Sequence, residues 1–161
     1  MKVDYPLDII SQKRNKMETT FLVTPFNSVG KIVFGMGKIE IENLFGRAPD
    51  YIDVGFLGKI NMSWGDITVK INKRGIVDEV TFGASGEIHL LLNDIDLLKD
   101  PQVMKKLNRI EKPDNIVGFK VYYSLGIAIT GTGKSKEERT VSVFSKELVK
   151  QWKKISSEKF R

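Results

Sequence analysis

The chain has 161 residues, 41% of them hydrophobic and 29% charged, a balance that suits one soluble domain with a core of its own. It has no cysteine and a single histidine, which excludes disulfides, thiolate metal sites, cysteine nucleophiles and multi-histidine metal centres. The net charge of +6 is uneven, because residues 132–161 hold nine Lys/Arg against four Glu and so carry five of the six charges. Such a basic end is either the solvated face of a terminal helix or an attraction for an acidic partner or nucleic acid. The start, Met1-Lys-Val-Asp-Tyr-Pro-Leu-Asp8, lacks the apolar run of a signal peptide. No apolar stretch reaches the roughly 18 residues of a membrane span. The expectation is a cytoplasmic protein without membrane association.

Residues 1–18 show no clear period, and Gln12 to Glu18 reads as a polar entry segment or short helix. Thr19 to Thr24 is β-branched and aromatic, ends at Pro25, and predicts a strand. Val29 to Pro49 is the segment around which the rest is arranged. It reads as a strand at Lys31–Phe34, a turn at Gly35-Met36-Gly37, and a short helix with Ile41, Leu44 and Phe45 on one face. Gly46 stands where a helix end needs positive φ, and Pro49 lies just beyond.

Asp50 to Gly65 reads either as a strand with a bulge or as an irregular loop carrying aromatics. Its Tyr51, Phe56 and Trp64 are candidate partner-binding anchors, since exposed aromatics on glycine-hinged loops favour binding; the alternative is aromatics packed beneath a loop. Asp66 to Phe82 is the clearest hairpin: Ile67, Val69 and Ile71 alternate with polar residues, and Gly75 supplies a left-handed turn position. Glu87 to Leu92 predicts a further strand. A helix opened by Pro101 follows, with Val103, Met104 and Leu107 buried. Val117 to Thr130 reads as one long central strand, apolar on both faces and therefore covered on both. Gly131 to Glu138 is a charged turn, and Arg139 to Phe144 is the antiparallel partner. Ser145 caps a last helix whose buried stripe is Leu148, Val149, Trp152 and Ile155. The order helix, loop, hairpin at 38–82 and again at 101–144 suggests an internal duplication.

Candidate chemistry is sparse. Ala128 to Ser135 satisfies a loose phosphate-loop pattern, but a strand follows where the mechanism needs a helix, so a polar hairpin tip is the better reading. His89 lies in an apolar run and reads as a core or edge residue. Asp94, Asp96 and Asp100 resemble an incomplete Ca²⁺ loop and are more simply helix-start acids. Glu40 and Glu42 point to different helix faces. An open sheet face could instead carry Lys120, Tyr122, Tyr123 and Arg139 for nucleic acid.

The segment Ile32-Val-Phe-Gly-Met36, the short helix, Leu44-Phe-Gly46, Pro49 and the hairpin after them resemble a signature of small bacterial proteins, F-G-M…L-G-x-P. Similar helix-plus-hairpin units build the β-lactamase inhibitor protein. Gly37 departs from the signature, which usually has Ser or Thr there. The resemblance extends over Gly30 to Phe82 and is to immunity proteins of polymorphic toxin and contact-dependent growth inhibition systems. It implies a binder of a cognate toxin domain without catalytic residues, cofactor or metal.

Two expectations result. The fold is a single α+β domain over residues 1–161, with a twisted, mostly antiparallel sheet and helices packed chiefly on one face. The function is a protein-binding inhibitor, an immunity protein and not an enzyme. The alternative is a nucleic-acid or anion-binding module using Lys134, Lys136, Arg139 and the basic last helix.

Overall fold

The computed structural model describes residues 19–55, 58–131 and 138–159. Its strands arise where apolar and polar residues alternate: β1 (Thr20–Thr24), β2 (Ser28–Val29), β3 (Ile32–Val33), β4 (Tyr51–Val54), β5 (Ile60–Trp64), β6 (Ile67–Ile71), β7 (Val77–Gly83), β8 (His89–Leu92), β9 (Ile95–Asp96), β10 (Asp114–Ile116), β11 (Phe119–Tyr122), β12 (Ile127–Thr130) and β13 (Thr140–Phe144). The described helices are α1 (Lys38–Phe45), α2 (Val103–Asn108) and α3 (Lys146–Lys159). The Gln12–Glu18 segment lies outside the described residues.

The chain is α+β, with two sheets. An eight-stranded antiparallel sheet runs β10-β11-β12-β13-β7-β6-β5-β4. A five-stranded sheet, β3-β2-β1-β8-β9, is mixed because β1 and β8 pair in parallel, with Phe21 opposite Leu90. In both suspected repeats a helix precedes a four-strand meander, so each holds two strands more than a hairpin. The two meanders join at β7 and β13, where Thr81 faces Ser142 and their hydroxyls hydrogen-bond at 2.9 Å.

One face of the large sheet builds the main core. Met62, Trp64, Val69, Val80, Phe82, Val141 and Val143 pack with Phe21 and Leu90 of the second sheet, Ile41 of α1, and Val103 and Leu107 of α2. Burial of this apolar surface is the main stabilising term. Among the described residues the other face is covered over one half, where Ile116, Val121, Ala128 and Phe144 meet Leu148 of α3. Trp152 of α3 closes that cluster, edge-on to Phe119 at 5.2 Å between centroids.

Local signals explain most element ends. Glu40 Oε1 accepts the Gly37 amide at 3.0 Å at the start of α1. Gly46 ends it at φ 70°, its amide donating to the Glu42 carbonyl, and Gly75 takes φ 80° in the β6–β7 turn.

Four expectations need correction. Val117 to Thr130 is not one strand: β11 and β12 are separated by a turn over residues 123–126, closed by the Leu125 amide on the Tyr122 carbonyl at 3.2 Å. Its apolar residues do face both ways, because the core covers one side and α3 the other. Asp50 to Gly65 is a hairpin, β4 and β5, with Tyr51 opposite Ser63. Leu44 and Ile155 are exposed, each lying beyond the area that its helix buries. Ser145 Oγ is buried without a hydrogen-bond partner among the described residues, so that side chain does not cap α3.

Candidate functional site

Strand register creates a surface that no short stretch of sequence contains. Directly opposed residues on neighbouring strands share a face. Tyr51, Ser63, Thr68, Thr81 and Ser142 are opposed in turn across β4, β5, β6, β7 and β13, giving one row of hydroxyls. The Ser63 and Thr68 hydroxyls lie 3.0 Å apart. The next row runs Asp53, Asn61, Lys70, Glu79, with Lys70 Nζ 3.5 Å from Glu79. These rows lie on the face that α3 covers elsewhere; among the described residues no helix covers the polar β4–β7 half, whose row residues from Asn61 to Thr81 are half-buried.

Tyr51 ends the hydroxyl row on the sheet's outermost strand and is 62% exposed. Trp64 is a different case. It is 1% exposed, stacks on Phe45 at 4.0 Å between centroids, and donates its indole N–H to the Arg47 carbonyl at 3.1 Å. It is a core residue and not a binding anchor: strand alternation turns it inward, opposite Ile67. Phe56 lies outside the described residues.

A cleft of about 350 Å³ borders this face where the β6–β7 turn approaches α3. Each of its two carboxylates is matched by a cation, and Lys73 adds a third positive charge. Lys59 donates to Asp78 at 2.9 Å, and Arg74 meets Glu147 at 2.5 Å. Nothing there leaves two carboxylates converging on a substrate.

The remaining polar candidates have structural partners. His89 is exposed rather than buried in the core, and its Nδ1 lies 2.7 Å from Asp96. Asp96 accepts the Leu98 and Lys99 amides, and Asp100 accepts the Gln102 amide and Lys106 Nζ. The Lys106 hydrogen bond is the main reason that the Asp100 carboxyl lies below the usual range. Arg47 does the same for Asp50. Among the described residues, no cluster of three or more His, Cys, Asp or Glu is placed to hold a metal ion.

The candidate nucleic-acid platform is not assembled. Tyr122 is fully buried, its hydroxyl donating to Asn108 at 2.8 Å, and burial pushes its pKa up to about 12. Tyr123 donates to Asp114 at 2.7 Å; burial first, then that carboxylate, raise it to about 12. Arg139 is buried, and its guanidinium serves backbone carbonyls, so it cannot meet a phosphate. Lys134 and Lys136 lie outside the described residues, as does the tip of the loose phosphate-loop segment. The exposed lysines of α3, Lys146, Lys150, Lys153 and Lys154, are present as expected.

Compared with family models, curated proteins and solved structures, the chain matches none. No helix among the described residues is long and apolar enough to cross a membrane. The open face therefore rests on its own geometry. Ser63, Thr68, Lys70 and Thr81 were not singled out from sequence, though the polar positions of their period-two patterns were visible. Only the register aligns them.

Proposed function

We propose that this chain is a protein-binding inhibitor, of the immunity-protein kind, that covers a cognate toxin domain with the open half of its large sheet. One observation supports the reading: among the described residues α3 covers only the β10–β13 half, leaving on β4–β7 a polar array held in register by paired strands. Such an array needs little ordering on binding, and interfaces of ordinary size, roughly 800 Å² per partner, are commonly this polar. Of the three aromatics named from the sequence, Tyr51 stands exposed at the rim, Trp64 is buried, and Phe56 lies outside the described residues. The partner would be blocked sterically, with no catalytic step, cofactor or metal in the inhibitor.

The test is co-purification with the product of the neighbouring gene, followed by titration calorimetry. Thr68→Lys and Tyr51→Ala should each weaken the complex tenfold or more while leaving the circular dichroism unchanged. A complex indifferent to both variants would remove this face from the reading, and no complex at all would remove the function.

A second reading, an anion or nucleic-acid module, keeps one supporting observation, the lysines along the solvent side of α3. It requires binding that weakens steeply with salt, with a slope that falls in Lys150→Glu. Absence of binding at low salt disposes of it.

A further inference from the structure

The two edges of the eight-stranded sheet are finished differently. At one edge, α3 lies beside β10, and Ser156 Oγ donates to Asp114 Oδ2 at 2.7 Å. At the other edge, no strand or helix among the described residues covers the outer side of β4. Natural sheets protect such edges with short strands, charged side chains, proline, bulges or a covering element. β4 is short, four residues reading Tyr-Ile-Asp-Val, and has one charge but neither lysine nor proline. Its Ile52 is 48% exposed and its Val54 74% exposed. Both lie on the side of the sheet that builds the main core, because Ile52 opposes Met62 and Val54 opposes Ile60.

We propose that β4 pairs with β4 of a second copy of this chain, antiparallel about a two-fold axis at Ile52, joining two eight-stranded sheets edge to edge. The strand's complementarity to itself, apolar at Ile52 and Tyr51 against Asp53, points to a second copy, and symmetry with charge sets the register. A two-fold axis perpendicular to a continuous sheet must pass through a residue position, so that opposed side chains share a face. An axis at Asp53 would set two carboxylates against each other. An axis at Ile52 sets Ile52 against its own copy and places Tyr51 opposite Asp53 on both sides of the axis. The phenol can then donate to the carboxylate, and the apolar layer continues across the junction. The strand is short, so the dimer is a reversible one that forms as concentration rises. The junction uses Tyr51, the rim residue of the proposed toxin-binding face, but leaves Ser63, Thr68 and Lys70 free, so Ile52→Lys tests the pairing and Thr68→Lys tests toxin binding.

The absence of cysteine from the chain makes the register testable. In the Ile52-centred pairing, the two Cα atoms at position 52 are about 4.5–5.5 Å apart, within disulfide reach, while those at position 54 are about 14 Å apart. Under mild oxidation, Ile52→Cys should become a covalent dimer at least tenfold faster than Val54→Cys. In sedimentation velocity, the cysteine-free chain should shift with concentration from 18.2 kDa toward twice that mass, whereas Ile52→Lys, with unchanged circular dichroism, should not. A constant monomer mass up to several hundred micromolar, or equal cross-linking at the two positions, overturns the proposal.

Discussion

Arg139 Nη1 donates to the carbonyl of Asp100 at 2.9 Å, tying the residue just before β13 to the approach to α2. The same nitrogen reaches the Leu98 carbonyl at 3.0 Å and the Leu97 carbonyl at 3.3 Å. Nε has no partner among the described residues. Desolvation lowers the guanidinium's pKa, opposed by the nearby Asp100 and Asp96 carboxylates. Arg139→Met leaves buried carbonyls without their charged donor and should cost about 3 kcal/mol, read by urea denaturation. Arg139→Lys should recover part of that loss. No effect from Arg139→Met would mean that water replaces the donor.

Val117 and Gly118 form the two-residue turn between β10 and β11, with Ile116 opposite Phe119. Both have positive φ, 47° and 86°, and Val117 is a β-branched residue 74% exposed to solvent. Asn-Gly is the favoured pair in this geometry. Val117→Asn should therefore stabilise the chain by about 1 kcal/mol, raising Tm by about 2–4 °C in calorimetry. A lower Tm would show that the valine side chain makes contacts worth more than the backbone strain.

Trp64 as a core residue makes a prediction opposite to that for an anchor. Trp64→Ala should cost about 3–5 kcal/mol by removing its stack with Phe45 and opening a cavity. Trp64→Phe, which stays folded, should leave partner affinity unchanged in calorimetry. Loss of affinity in the folded phenylalanine variant would return Trp64 to the binding surface.

The two tyrosine pKa values near 12 make the fold sensitive to alkaline pH. Because the folded values lie above the unfolded value of about 10, the stability they contribute is complete below pH 10. It is lost as pH rises from 10 through 12. Phenolate absorbance should show late ionisation coinciding with loss of near-ultraviolet dichroism, and Tyr123→Phe should remove part of that late amplitude. Ionisation of both groups near pH 10 in the folded chain would contradict the burial.

Asp100 acts at the acid end. Its folded pKa is lowered, chiefly by Lys106, so its contribution is present above the unfolded value of about 4 and is lost as pH falls through the folded value. Denaturation midpoints from pH 6 to pH 2 should fall less steeply for Asp100→Asn than for the natural chain. Parallel acid limbs would assign the acid sensitivity to other carboxylates.

By itself, the sequence determined the period-two strands, the helix that ends at Gly46, the turn at Gly75 and the apolar stripe of the last helix. Each follows from residues within a few positions of one another, where sterics and alternation act without help from distant chain. Residues far apart in the chain decided the rest. Trp64 turned inward because β5 pairs with β6 in a register that sets it against Ile67, and Arg139 became a buried clamp because Leu97, Leu98 and Asp100 pack against β13. The parallel pairing of β1 with β8 and the half-cover of the large sheet by α3 belong to the same class. Local preference fixes where a strand begins. Which of its faces remains open depends on which distant element gains most by covering it, and that comparison exists only in the folded chain.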